Sequence, residues 1–299
     1  MNLIHEDVDR FWEIWPRLSP TDLDACARIL EDEYLGPGSV GLQDFWRLRI
    51  ESGRQFAGAI HARPRYYAAL EGVCAKLRTQ EDLIQDACSR LSVLAGSASP
   101  QVDTYFLIGR MSAAGTVSEN GLLIGLDMMG RSDSTPLDEL GDWHRSVVAP
   151  LENLPRLVLH EFVHALQHTA PLNTLLANAI VEGTADFLVT ILLGPSQADL
   201  YEFGRAHESD LWAEFKRTMH DVDFSNWLCQ GDCAKDRPAD LGYFVGHQIC
   251  ASYFARQPDP VVAVRDMLTI ESFEEFVTAS GYDGEATEVP CTVRVVPNM

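Results

Sequence analysis

Three residues in one short run define the chemistry this chain can do. His160, Glu161 and His164 lie in Leu157-Val158-Leu159-His160-Glu161-Phe162-Val163-His164-Ala165-Leu166, an apolar stretch with helical spacing. Positions four apart share a helix face, so both imidazoles can reach a single ion. Zinc accepts neutral imidazole nitrogens, and a catalytic zinc site keeps one position open for water. Glu161 follows His160 directly and is placed to contact such a water as its general base. The competing reading is a buried helix whose histidines are satisfied by hydrogen bonds. The surrounding sequence favours the metal.

A catalytic zinc needs a third protein ligand. His168 continues the face of His160 and His164, but eight residues separate it from His160, about 12 Å along a helix axis. One tetrahedral ion cannot bind both, so His168 reads as a helix-end or supporting residue. Gln167 and Ala170 stand where the metzincin pattern requires Gly and His. The better candidate is Glu182, in Ile180-Val181-Glu182-Gly183-Thr184-Ala185-Asp186-Phe187. Pro171 stops the first helix, and a second apolar helix is expected over 172–193, ended by Gly194-Pro195. An antiparallel helix pair with a short connection returns Glu182 to the two histidines. Asp186 shares the face of Glu182 and can accept the free ring N–H of a ligand histidine. Carboxylates among Ala177, Ile180, Val181, Phe187, Leu188, Ile191 and Leu192 are costly without partners. A metal partners both.

The combination of HEFVH with EGTAD, 18 residues beyond His164, resembles the gluzincin branch of zinc metallopeptidases. A nearer resemblance is to a little-characterised bacterial family of predicted zinc-dependent proteases. It extends over Tyr105–Arg110, Gly115-Thr116 and Asn120–Asp127, and over Leu241-Gly242-Tyr243-Phe244-Val245-Gly246-His247, together spanning about 100–255. The gluzincin likeness implies a Glu on the second helix as ligand and an Asp one turn later as buttress. It also implies a Tyr or His that hydrogen-bonds the oxyanion formed when water attacks a carbonyl, a task for Tyr243 or His247, four apart on one helix. In zincins a small sheet lies over the metal and its edge strand pairs with an extended peptide. By that likeness Gly115, Thr116 and the strand from Gly121 form the substrate-binding rim; the alternative for 109–121 is a flexible hairpin loop.

Net charge of −21 argues against binding a phosphate backbone or an anionic membrane. Apolar content of 46% and charged content of 22% are ordinary for a globular protein. No run approaches 18 uninterrupted apolar residues, and the start lacks a basic region and an apolar core, so neither a membrane span nor a secretory signal is expected. Seven cysteines, 26, 74, 88, 229, 233, 250 and 291, are odd in number and mostly fall in helical patterns. That favours reduced thiols and a cytoplasmic location. Cys229 and Cys233 alone are a weak metal pair.

The elements that must position these groups divide at Gly96-Ser97-Ala98-Ser99-Pro100. Before it, helices are expected from Ser19-Pro20 to Leu35 and over about 40–60, 65–78 and 81–95. Arg65-Tyr66-Tyr67 opens one of them, as core aromatics or as part of a cleft. After it, 102–108 and 122–126 read as strands. Helices are expected over 199–220 and 241–256, the latter N-capped by Asp240, with a capping-box start at Ser272 for a last short helix and an irregular tail over 282–299. Gly242 and Gly246 would let the helix of Tyr243 approach another backbone closely.

The expectation is a mostly helical α+β protein, zincin-like, with a small mixed or antiparallel sheet over the metal helix. A helical portion spans 1–98 and a catalytic portion 99–299, with the sheet at 100–130, the metal helices at 154–194 and a helical part at 199–280; the two portions can equally form one integrated unit. The expected activity is that of a zinc-dependent hydrolase acting on a peptide or protein substrate. Two alternatives are a non-catalytic interaction protein tied by zinc, and a zinc hydrolase of non-peptide substrates.

Overall fold

The computed structural model describes residues 1–18, 22–96 and 101–287. The expected helix start at Ser19-Pro20, the punctuation at 97–100, the tail from 288 and Cys291 lie outside the described residues. The chain is 64% helical with one four-stranded mixed sheet, the mostly helical α+β class expected. It divides into two compact units, Met1–Asp86 with Pro100–Glu161, and Ala87–Ser99 with Phe162–Met299. The division falls within the helix that carries HEFVH rather than near residue 98. The first helices and the sheet belong to one unit because their hydrogen bonds interlock.

Strands β1 (Asn2–Ile4), β2 (Asp103–Leu107), β3 (Gly115–Ser118) and β4 (Gly121–Gly125) take the order β1-β2-β4-β3. The first three in space run parallel, and β3 is antiparallel to β4, with Gly115 opposite Ile124 and Thr116 opposite Leu123. Tyr105, Phe106 and Leu107 are buried, as are Leu122, Leu123 and Ile124. Central parallel strands covered on both faces have continuous apolar runs, which is why these two were legible. The short strands β1 and β3 were not. β3 lies inside the stretch expected as a loop, where pairing with β4 supplies the order that its Gly- and Ser-rich sequence lacks. Its hairpin turns at Glu119-Asn120 and depends on Gly121, whose φ of 137 is hostile to other residues and whose added Cβ would stand 2.1 Å from the Asp103 carbonyl oxygen.

Three phenols connect the early helices to the ends of these strands. The Tyr34 hydroxyl donates to the Ile108 carbonyl at 2.9 Å and accepts its N–H at 3.0 Å. Tyr67 donates to the Gly109 carbonyl and Tyr66 to that of Asp127, both at 2.7 Å. Tyr66 and Tyr67 are therefore core residues, while Arg65 pairs with Asp138 and Glu139. The helix expected over 40–60 is interrupted: Val40–Phe45 widens into a π-turn at Trp46–Ile50, and the chain restarts at Ser52, whose hydroxyl caps Gln55 N. Glu51, at φ 69, makes the break.

In the second unit the helix Leu175–Leu193 begins at Thr174, whose hydroxyl caps Ala177 N, and stops at Gly194 with φ 88. It is long and apolar enough to cross a membrane, yet 78% of its apolar window is buried inside the protein, as in a core helix. Along it Asn178, Glu182, Asp186 and Thr190 remain half-buried, a stripe at spacing four, with Leu193 at the helix end. The helix expected over 199–220 breaks at His207 into Asp199–Ala206 and Glu208–Thr218. Leu241–Arg256 forms as expected, but Asp240 does not N-cap it. Asp240 sits in the left-handed region and instead exchanges two hydrogen bonds with Gln230, through its carboxylate and its own N–H.

Candidate metal centre

The helix Leu154–Leu166 places Pro155 in its first turn, where no N–H partner is lost. Its apolar face is buried through Val158, Leu159, Phe162 and Val163. His160 and His164 fall on the face left half-buried. His160, His164 and Glu182 each offer one ligand atom, and these atoms lie within 4.8 Å of one another. His164 Nε2 stands 3.2 Å from Glu182 Oε2. Zinc bonds of 2.0–2.2 Å at tetrahedral angles separate ligand atoms by about 3.3–3.6 Å, so this pair fits one ion with little adjustment. Two histidines and a carboxylate are also the donor set of an open site rather than of a closed, cysteine-rich one.

Within the first unit, Glu161 is buried at 7% exposure beneath the sheet. A Cβ on Gly115 would lie 2.3 Å from its Oε1, so β3 passes so close to the carboxylate that a methyl there would displace it. Thr116, next along the strand, is also buried. Its hydroxyl accepts a hydrogen bond from Arg49 Nε at 2.6 Å, which anchors β3. The loop leading into β3 is held from below by Asp127, whose two oxygens accept the N–H groups of Gly109 at 2.8 Å and Met111 at 2.6 Å. Complete burial raises the Asp127 carboxyl to about 6 despite those two donors.

Within the second unit, the helix of Tyr243 crosses that of Glu182 backbone to backbone. A Cβ on Gly246 would stand 1.7 Å from the Ala179 carbonyl oxygen, and one on Gly183 would stand 2.1 Å from the Gly246 carbonyl carbon. Gly246 thus makes the close approach expected of it, and Gly183, the second residue of EGTAD, is its counterpart. Gly242 packs on Leu228 and the Trp227 carbonyl instead. The crossing brings the Tyr243 hydroxyl into hydrogen-bond contact with Glu182. Burial, then the negative charges of Glu182 and Asp186, hold the phenol well above its ordinary pKa, so it remains a donor.

His247, one turn on, is engaged elsewhere. Its Nδ1 faces Gln248 Oε1 at 3.0 Å and its Nε2 faces Thr190 Oγ1 at 3.3 Å, with Phe187 and Tyr201 edge-on to the ring. Burial lowers its pKa. Of the two residues considered for the oxyanion, the structure sets Tyr243 against a candidate ligand and packs His247 among neutral partners. Asp186 accepts a hydrogen bond from the Tyr201 hydroxyl. His168 lies beyond the helix end, its N–H on the Leu268 carbonyl.

The sequence reading missed two contacts. Tyr201 carries no signal that would have paired it with Asp186. Gln167 had one, a position three residues after His164 on the same face: its Oε1 meets His164 Nδ1 at 2.7 Å, and its Nε2 donates to the Val181 carbonyl at 2.9 Å. Four of the six described cysteines are buried, and burial pushes the thiols of Cys74, Cys88 and Cys250 up to about 12.

Neither a curated protein nor a solved structure matches this chain. A family model does, over residues 144–274, a little under half of the chain. The matched segment contains HEFVH, EGTAD, Tyr243 and His247, and leaves out the sheet with Gly115 and Thr116. That segment, which holds the three convergent ligand atoms, is similar to the little-characterised family described as "Predicted Zn-dependent protease (DUF2268)".

Proposed function

We propose that the protein is a zinc metallopeptidase of the gluzincin kind, built on a zincin-like arrangement of sheet and helices. The observation that carries this is the convergence of His160, His164 and Glu182 from two helices, with Glu161 buried beside them in sequence and capped by Gly115. Zinc held there would supply Lewis-acid polarisation of a carbonyl and acidify a water. Glu161 takes the proton of the attacking water on its carboxylate and delivers it to the leaving amine nitrogen. Tyr243, held protonated, donates its O–H to the carbonyl oxygen as negative charge develops there. β3 is an edge strand, and its free backbone groups offer an extended peptide a ladder to join, with Gly115 leaving room for the chain to pass Glu161. That edge favours a peptide over a non-peptide substrate. A peptide or protein substrate and a cytoplasmic setting, with reduced thiols, belong to this same reading.

Elemental analysis of protein purified without chelator tests the site, comparing wild type with Glu182→Ala. One zinc per chain, lost in the variant, is the expected result, and cleavage of a peptide library by the zinc-loaded wild type should follow. A well-folded wild type that takes up no zinc even when it is supplied refutes the reading.

A further inference from the structure

We infer that Gln167 is the positioning residue of the metal centre: it fixes the ring of His164 so that Nε2, and not Nδ1, faces Glu182 and the ion. This rests on the metal reading above and adds to it a residue outside both motifs. The argument begins with the Val181 carbonyl, which can only accept. The Gln167 amide must therefore turn its NH₂ toward Val181, at 2.9 Å, and its oxygen toward His164. An amide oxygen also only accepts, so at 2.7 Å the facing Nδ1 of His164 must be the N–H. Flipping the amide sets two oxygens against each other at Val181, and moving the ring proton to Nε2 sets two acceptors against each other at Gln167. Of the two neutral tautomers, only the one protonated at Nδ1 satisfies Gln167 and Val181 together.

That assignment leaves a lone pair on Nε2, aimed at a carboxylate oxygen 3.2 Å away. Two acceptors at that distance repel unless a proton or a metal ion lies between them, and a bound metal would take the place of that proton. Gln167 does a second thing with the same side chain. Val181 immediately precedes Glu182, so the amide connects the ring of one ligand to the backbone that carries the other. Ligands held this way lose less freedom on binding, and removing such outer partners typically weakens metal affinity 10–100-fold.

Two substitutions separate these roles. Gln167→Met keeps the length of the side chain and loses both hydrogen bonds. Gln167→Glu keeps an acceptor for His164 Nδ1–H and loses the donor to Val181. Zinc dissociation constants, measured by competition with a chromogenic chelator, should rise 10–100-fold for the Met variant and only a few-fold for the Glu variant. Equal weakening of both would show that the tie to Val181, not the ring, is what matters, and would overturn the assignment. So would wild-type affinity in the Met variant. Long-range proton–nitrogen NMR of zinc-loaded wild type reads the ring directly and does not depend on any variant folding. Coordination of His164 through Nε2 with a protonated Nδ1 is expected, and coordination through Nδ1 overturns the proposal. A wild type that binds zinc while Gln167→Met binds equally well sinks only this inference; a wild type that binds none sinks the metal reading as well.

Discussion

The candidate metal ligands and the strand proposed as a substrate rim are built by opposite means. The ligands sit on helices, where a spacing of four places His160 with His164 and Glu182 with Asp186 whatever else the chain does. The proposed rim is a four-residue strand whose own sequence specifies little, held by Asp127, by Arg49 on Thr116 and by Gly121 in its turn. Ligand geometry here is local and periodic, whereas rim geometry is assembled from distant residues. Substitutions in the helices should therefore act on metal and stability, and substitutions on β3 itself on turnover with zinc affinity unchanged.

The largest expected effect is at the proposed general base. Glu161→Gln removes the proton acceptor but no ligand, so zinc content should stay at wild-type level while turnover falls about 10²–10⁴-fold. A parallel loss of zinc would show that Glu161 holds the helix rather than the proton. Next comes the helix crossing. Gly246→Ala forces a methyl against the Ala179 carbonyl, where backbone rather than a flexible side chain must yield. A loss of about 1–3 kcal/mol is expected in denaturant unfolding, with zinc affinity reduced as Glu182 shifts. An unchanged midpoint would mean the two helices do not cross so closely.

On the rim side, the contribution of Asp127 depends on pH. Its folded-state pKa is raised, from 3.8 to about 6. A raised value means the contribution is fully present below 3.8 and is lost as pH rises through 6. Two units correspond to on the order of 3 kcal/mol. The stability difference between wild type and Asp127→Asn should thus shrink by about that amount between pH 4 and pH 7, and a flat difference would contradict the burial-driven shift. The smallest effect is expected from Gly115→Ala. The added methyl meets the flexible end of Glu161 rather than backbone, so the carboxylate swings aside. Turnover should drop about tenfold or somewhat more through misplacement of the base, with zinc affinity unchanged. If zinc affinity falls as well, the contrast between the ligands and the strand is weaker than drawn here.

The sequence by itself determined the elements whose information is local. HEFVH and EGTAD each place their chemical groups on one helix face, and Pro171 and Gly194 mark where those helices turn and end. The continuous apolar runs of β2 and β4 announce fully buried strands. Gly246 was legible as a close-approach residue, because few other reasons hold a glycine on a helix face. What only the tertiary structure decided was every relation that depends on a partner far away in the chain. β1 and β3 become strands because β2 and β4 offer hydrogen bonds to short segments with little preference of their own. Asp240 turns from helix cap to partner of Gln230 because a reciprocal pair satisfies more groups than a cap. Tyr243 and His247, equal by spacing, differ because Thr190 and Gln248 occupy one ring and Glu182 meets the other hydroxyl. Gln167, passed over as a mismatch to another motif, gains its meaning only when Val181 closes the other side of its amide. Helix periodicity is written in neighbours along the chain, whereas hydrogen-bond satisfaction in a buried site is written in neighbours in space.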